Sequence, residues 1–224
     1  MHSHTVHQIG ARPQLMKTSL IVFSLFLASL CFAQSTLFIY DQQSSTESYY
    51  GSGAIVISEQ QPLLGQSFTP SLSGIGFVRF GFYDGTLGNT LSATVSVNLR
   101  SDSITGSILG TTIPAVISSG VGSGTNSPAV NLFFPSEVSL VPGTVYYLQP
   151  VFMVGNQNLQ ILSYHSFNYA GGSLINFGVG GSGSDMWFRE GIIVPAPEPE
   201  TLSLGLLGAG VLLGLHRRRQ RVGA

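Results

Sequence analysis

Hydrophobic and polar residues alternate with a period of two through the middle of this chain. The clearest example is a seven-residue stretch in which Ala93, Val95, Val97 and Leu99 are separated by threonine, serine and asparagine. Such alternation is typical of a β-strand that buries one face, so these four side chains are predicted to point inward. The same region lacks the 3.6-residue periodicity of an amphipathic helix. The pattern therefore predicts an all-β fold.

Three other segments show a strong strand pattern: Ile75–Tyr83, Val145–Met153 and Leu159–Tyr164. Shorter strands are predicted at Leu37–Tyr40, Ala54–Ile57, Gln66–Thr69, Ile108–Thr111, Ala129–Phe133, Val138–Leu140 and Met186–Arg189. In the first segment Val78, Phe80 and Phe82 share one face, with Arg79 on the other. Turn signals rich in Gly, Pro and Asn separate the strands. About ten short strands at this spacing predict a single antiparallel β-sandwich, jelly-roll-like, over residues 34–193.

The N-terminal end has the features of an export signal. Residues 16–33 open with Met16 and Lys17, continue with an apolar core and close with Ala33, which is the order found in Sec-type signal peptides. We predict a signal helix here and cleavage between Ala33 and Gln34. Residues 1–15 are polar and fit no part of such a signal, so we interpret them as a gene-model extension upstream of Met16.

The C-terminal end combines prolines, an apolar run and a basic cluster. Residues 194–200 form a proline-rich linker, in which the prolines hold the chain extended and prevent a helix from starting early. The apolar run in residues 201–224 is about 14 residues long and predicts a short transmembrane helix of about 21 Å. A relaxed membrane span needs roughly 20 residues, so this helix is shorter than usual. Arg217, Arg218 and Arg219 would retain its far end in the cytoplasm.

This tail resembles the PEP-CTERM sorting signal of exported bacterial proteins. The resemblance is carried by Pro197, Glu198 and Pro199, the Gly- and Leu-rich helix and the terminal arginines. It implies that an exosortase-type membrane transpeptidase recognises the motif and removes the tail, in bacteria that also make exopolysaccharide. The protein would be anchored in the inner membrane before processing and would then reach the cell surface or the extracellular matrix. The alternative is an ordinary C-terminal anchor that stays in the membrane.

Charges are few and unevenly placed. Charged residues make up 8% of the chain, against roughly a quarter in an ordinary soluble domain. Six of the nine basic residues lie in the two ends, so residues 34–193 hold three arginines and eight carboxylates. Binding to nucleic acid requires Lys and Arg to neutralise phosphates, and we therefore predict no nucleic-acid partner.

Candidate catalytic residues are scarce in residues 34–193. His165 is the only histidine there and the one cysteine, Cys31, lies in the signal segment, which excludes Cys–His catalysis and multi-histidine metal sites. A serine–histidine arrangement would have to use His165, and no G-x-S-x-G motif accompanies it. Turn capping explains Asp84 and Asp185 better than calcium binding does. We predict no enzyme activity, no cofactor and no metal site.

Aromatic side chains are the candidates for ligand binding, because sugar rings present an apolar C–H face that stacks on aromatic rings. The candidates are Tyr146, Tyr147, Tyr164, Phe167, Tyr169 and Trp187. Trp187 is the strongest, since its neighbours Asp185 and Arg189 are able to hydrogen-bond hydroxyl groups. The alternative for each ring is a place in the core of a charge-poor sandwich.

Several short segments resemble β-sandwich modules of exported, surface-anchored bacterial proteins and carbohydrate-binding-module-like jelly rolls. They are Gly65–Pro70, Gly106–Gly110, Leu140–Leu148 and Asp185–Glu190. The sequence therefore predicts an exported structural or adhesive protein of the cell surface or the exopolysaccharide matrix. The alternatives are a lectin-like carbohydrate-binding module and a carbohydrate-active enzyme on the same sandwich.

Overall fold

Strands and the turns between them make up the part of the chain that the structure describes. The computed structural model describes residues 36–196 apart from 48–52, 87, 89, 123–127, 166, 168 and 182. The predicted signal helix and C-terminal helix lie outside these residues. The strands are β1 (Thr36–Gln43), β2 (Gly53–Val56), β3 (Gly65–Phe68), β4 (Gly74–Asp84), β5 (Ala93–Ser101), β6 (Ile108–Thr111), β7 (Ala115–Ile117), β8 (Ala129–Ser139), β9 (Tyr146–Gly155), β10 (Leu159–Tyr164), β11 (Leu174–Asn176), β12 (Val179–Gly180), β13 (Asp185–Met186) and β14 (Phe188–Pro195).

These strands form two antiparallel sheets. Sheet 1 has the order β1-β14-β4-β10-β13, with β2 beside β10 and β8 beside β4. Sheet 2 has the order β12-β11-β3-β9-β5-β6, with β7 beside β5. The chain crosses repeatedly between the sheets, from β3 to β4 to β5 and from β8 to β9 to β10, as in a jelly roll. The predicted all-β antiparallel sandwich is confirmed.

Strand β5 shows how the alternating pattern builds the core between the sheets. Ala93, Val95, Val97 and Leu99 are at most 2% exposed and belong to the main hydrophobic cluster, as predicted. Burying the two valines and the leucine contributes about 1.5–3 kcal/mol each, which fixes the face that sheet 2 turns toward sheet 1.

Strand β4 is buried on both faces, which the alternating pattern did not predict. Val78, Phe80 and Phe82 are completely buried and face the core. On the opposite face Phe77 is also completely buried, because the ring of Phe38 in β1 packs edge-on against it with 4.9 Å between ring centroids. The outer face of sheet 1 therefore carries a small apolar layer of its own.

Some predicted strand boundaries are wrong. The two segments predicted at Ala129–Phe133 and Val138–Leu140 are one strand, β8, which runs through Pro135. Within the described part of the chain β8 pairs only with β4, so the proline removes no ladder hydrogen bond on its other side. The segment predicted at Met186–Arg189 is split at Trp187 into β13 and β14, and β7, β11 and β12 were not predicted.

Thr36–Val194 form one compact unit. Among the described residues, no helix is long and apolar enough to cross a membrane.

Candidate functional site

Asp185 lies in a buried polar network that joins the two sheets. Gln66 of β3 donates from Nε2 to Oδ1 of Asp185 at 2.8 Å, and its Oε1 accepts the backbone N–H of Met186 at 2.8 Å. The other carboxylate oxygen of Asp185 accepts the backbone N–H of Tyr169 at 3.0 Å. Burial raises the pKa of Asp185 although these hydrogen bonds act to lower it. Asp185 is 3% exposed and holds the sheets together.

Trp187 is completely buried and occupies a small cluster with Leu162 and Phe167. Its Nε1–H donates to the backbone carbonyl of Thr46 at 3.3 Å. A Cβ at Gly81 would lie 3.0 Å from Cδ1 of Leu162 and 3.4 Å from the indole ring, so this cluster packs closely on β4. Stacking on a sugar requires an exposed ring face, and this placement therefore argues against the stacking role predicted for Trp187.

Arg189 lies on the outer face of sheet 1, opposite Arg79 of β4 in the strand register. Its guanidinium carbon lies 3.7 Å from the centroid of the Tyr40 ring, and its Nη1 is 2.8 Å from Oε1 of Glu47. Arg79 contacts the same carboxylate, with Nη2 3.1 Å from Oε2. Glu47 thus forms ion pairs with two neighbouring arginines.

The three residues predicted to form one sugar-binding surface therefore lie in three different environments. Asp185 bonds within the sandwich, Trp187 fills a hydrophobic cluster, and Arg189 lies at the outer surface. The other predicted aromatic candidates divide in a similar way: Tyr146 and Phe167 are buried, while Tyr147, Tyr164 and Tyr169 are half-buried. Glycan binding by Asp185, Trp187 and Arg189 remains a prediction, and the three side chains do not share a surface.

Glu190 was not singled out by sequence reasoning, yet it is the most unusual ionisable group among the described residues. It is completely buried on the core side of β14, opposite Val78, and no well-formed hydrogen bond within the described residues reaches either carboxyl oxygen. Burial, with the nearby negative charge of Asp41 as the next cause, raises the pKa of Glu190 to about 9. Glu190 is therefore protonated and neutral at physiological pH.

Asp41, on β1, differs from Glu190 because hydrogen bonds satisfy its carboxylate. Its Oδ2 accepts the backbone N–H groups of Ser71 at 2.8 Å and Leu72 at 2.9 Å, and the hydroxyl of Ser71 donates to its Oδ1. Burial acts to raise the pKa of Asp41, but these hydrogen bonds outweigh it and the pKa is lowered. Asp41 therefore stays ionised and fixes the turn that precedes β4.

A cleft of about 380 Å³, open to solvent, lies where the edge of sheet 1 meets β11 of sheet 2. It is lined by Gly53, Ala54, Ile55, Ser163, Tyr164, His165, Leu174, Asn176 and Ser184. A Cβ at Gly53 would lie 2.4 Å from the carbonyl oxygen of Ser163, so the close pairing of β2 and β10 that forms one wall requires glycine.

His165 and Ser184 contact each other in this cleft. The Ser184 hydroxyl hydrogen-bonds Nδ1 of His165, whose side chain is exposed. Among the described residues no hydrogen bond engages Nε2, so nothing within them orients the imidazole as the third group of a catalytic triad does. Sequence reasoning considered His165 as a serine partner but had no signal for Ser184, which is nineteen residues away.

Asp84 caps turns, as the commoner interpretation of its sequence predicts. Its carboxylate accepts the backbone N–H groups of Thr86 at 3.0 Å and Gly120 at 2.9 Å and the side-chain amide of Asn156 at 2.8 Å. Within the described ranges, no three His, Cys, Asp or Glu side chains are grouped so that they could hold a metal ion.

The sorting and cleavage residues lie outside the described part of the chain. These are Ala33 and Gln34 at the predicted signal cleavage, Pro197, Glu198 and Pro199 of the motif, and Arg217, Arg218 and Arg219 of the basic cluster. Their assignments rest on the sequence.

Comparison with known protein families matches residues 195–220 to the PEP-CTERM protein-sorting motif. The matched segment begins at the last residue of β14 and contains the Pro-Glu-Pro motif, the apolar run and the three arginines at 217–219. The chain therefore carries the motif of exported proteins that are sorted by an exosortase-type enzyme. No curated protein matches the chain.

Proposed function

We propose that this chain is a non-enzymatic structural or adhesive protein of the cell surface or the extracellular polysaccharide matrix. The observation that carries the proposal is the sorting motif at residues 195–220, which begins where the last strand of the sandwich ends. A signal peptide over residues 16–33 starts export, the C-terminal helix holds the chain in the inner membrane, and exosortase processing near Pro197–Pro199 releases the sandwich to its destination.

The ionisable groups of the sandwich favour a structural role over catalysis. Asp41 and Glu190 have pKa values shifted in opposite directions, a pattern that in an open cleft would suggest a base and an acid. Glu190, however, is completely buried beneath β14, so a substrate reaches it only if the sheet opens. The pair therefore fits the interior of a structural protein.

The proposal is tested by the mass of the surface-exposed form. The full chain is expressed in a bacterium that carries an exosortase and in the same strain without it, and intact protein is recovered from membrane and surface fractions. We expect the surface form to begin near Gln34 and to lack the residues after the motif. We expect the exosortase-deficient strain to retain the full tail in the membrane.

Two variants separate the motif from its surroundings. Glu198→Ala changes the motif and is expected to leave the tail attached, whereas Glu200→Ala, two residues further along, is the matched control and is expected to be processed normally. A surface form that runs intact through Arg221 would overturn the sorting step. Hydrolysis of exopolysaccharide by the purified chain would overturn the non-enzymatic role.

A further inference from the structure

The chemical character of the cleft between sheet 1 and β11 restricts what it can hold. None of the nine described residues that line it carries a carboxylate, ammonium or guanidinium group. Its volume of about 380 Å³ falls at the small end of the range for small-molecule sites, about 300–1,000 Å³. Apart from the imidazole of His165, this lining offers no group that would pair with a fully charged ligand, so a small neutral molecule fits the cleft.

The polar groups of the cleft are hydrogen-bonding groups of both kinds. Ser163 and Ser184 supply hydroxyls, which donate and accept, and His165 supplies an imidazole whose Nδ1 is already engaged by Ser184. The side-chain oxygen of Asn176 is buried and has no hydrogen-bond partner among the described residues. An acceptor left in this state is costly, and an incoming hydroxyl group would satisfy it.

The cleft also offers aromatic surface. Tyr164 is half-buried and lines it, and its ring is held edge-on against Phe167 at 5.8 Å between ring centroids. A ring supported in this way is rigid, so little side-chain entropy is lost when a ligand packs on it. Leu174 and Ile55 also line the cleft and add apolar surface from the main core, whereas Tyr164 packs against the cluster of Leu162, Phe167 and Trp187.

We propose that this cleft binds one neutral sugar unit of a polysaccharide. The sugar's apolar C–H face packs on Tyr164, and its hydroxyls bond Asn176, Ser163 and the His165–Ser184 pair. The inference rests on the proposed adhesive function, which it deepens by naming the ligand class. The carbohydrate site then lies in this cleft, which several hydrogen-bonding groups line, and not at the buried Trp187.

The binding test uses the full chain in a detergent without a sugar headgroup. The probes are the methyl β-glycosides of glucose, galactose and N-acetylglucosamine, together with cellobiose; glucuronate and glucosamine are the charged comparators. Binding is followed by NMR of ¹³C-labelled histidine, since His165 is the only histidine in residues 34–193. Its signal is assigned by its absence from His165→Ala. We expect a neutral sugar to shift the His165 signal saturably and the two charged sugars to leave it in place.

Variants locate the site. His165→Ala removes an exposed side chain and Asn176→Leu removes the unpartnered acceptor; each is expected to weaken binding about tenfold or more, measured by calorimetry. Asn98→Leu on β5 is the matched control, because it removes a half-buried strand asparagine that bonds Gln149 and Thr111 far from the cleft lining. It is expected to keep full affinity even where it lowers Tm.

Two results would overturn the proposal: no saturable shift of His165 with any neutral probe, or affinities of His165→Ala and Asn176→Leu equal to that of Asn98→Leu. Tm measured for each variant separates loss of binding from loss of folding. The sorting experiment is independent of both, because a chain that is processed normally but binds no sugar keeps the proposed destination and loses only the ligand.

Discussion

Two neighbouring residues on β14, Arg189 and Glu190, lie in opposite environments. Arg189 lies on the outer face of sheet 1, where Glu47, Gln43 and the ring of Tyr40 all contact its guanidinium group. Glu190 lies on the inner face, completely buried, with no well-formed hydrogen bond to its carboxyl oxygens among the described residues. The positive charge of Arg189 has several partners, whereas Glu190 is protonated and carries no charge.

Among the described residues, the ionisable groups of the inner face are therefore either neutral or fully hydrogen-bonded. Asp185 is tolerated there because Gln66 and the backbone of Tyr169 bond its carboxylate, whereas Glu190 is tolerated because its pKa is raised to about 9. Water screens charges on the outer face, so the same residue types cost and contribute little there.

The largest effect is expected from Glu190→Gln. The pKa of Glu190 is about 9 in the folded chain, above its ordinary value of 4.5, so the folded state binds the proton more tightly than the unfolded state does. Its contribution to stability is complete at acidic pH and is lost as the pH rises toward about 9. The neutral glutamine avoids this loss and should raise the free energy of unfolding by about 3 kcal/mol at pH 7.

Chemical denaturation from about pH 5 to about pH 9 measures this gain, which should increase with pH and level off near the upper end. Glu47→Gln is the matched control on the outer face, and its effect should stay small throughout. A gain from Glu190→Gln that does not vary with pH would show that Glu190 titrates normally and would break the contrast between the faces.

The next effect is expected from Gln66→Leu, which tests whether the bonded network on the inner face is needed. The change strands the backbone N–H of Met186 and one oxygen of Asp185 in the interior, at a cost of about 2 kcal/mol. Gln43→Leu, which removes the acceptor for Nε of Arg189 at the surface, should cost less than about 0.5 kcal/mol. Equal losses from the two changes would show that burial does not set the cost.

A small effect is expected from Glu47→Gln itself. The carboxylate is 40% exposed and its two arginines retain other partners, so the free energy of unfolding should fall by less than about 1 kcal/mol. The loss should shrink further in about 1 M salt, where the Debye length falls to about 3 Å and the attraction within the ion pairs is weakened. A larger loss that is insensitive to salt would show that the ion pairs act as if they were buried.

Sequence patterns predicted the strands that face the core, but not the apolar layer on the outer face of sheet 1. The alternation in Ala93–Leu99 identifies its buried face because β5 packs apolar residues on one side. Alternation also separates Arg189 from Glu190, but it does not say which of them faces inward. That choice depends on Phe188, which pairs with the buried Phe80 and fixes the register of β14.

The β11–β12 hairpin gave no turn signal. Its two-residue turn is Phe177-Gly178, with φ of 52° and 79°, a combination for which Asn-Gly is the usual sequence. A phenylalanine in the left-handed region is rare, so sequence rules place no hairpin there. Asn176 precedes this turn, and its position in the cleft could not be predicted for the same reason.

Trp187 is buried because residues far away in the chain cover it. Polar neighbours at Asp185 and Arg189 suggest exposure, but the indole bonds Thr46, which is 141 residues distant, and packs on Leu162. Local composition carries no information about such contacts. The sorting motif, in contrast, is a local sequence signal that is recognisable without knowledge of the fold. It was predicted and then confirmed.

The position of β14 has a mechanical consequence. The sorting motif begins at Pro195, the last residue of a strand that lies inside sheet 1 between β1 and β4. Ladder hydrogen bonds of antiparallel strands run perpendicular to the chain, so a pull on the C-terminus loads those on both sides of β14 in shear. They must rupture together, whereas an edge strand pulled sideways would unzip one bond at a time. An attachment made beyond Pro195 therefore resists flow and traction at the cell surface through the strand that holds it.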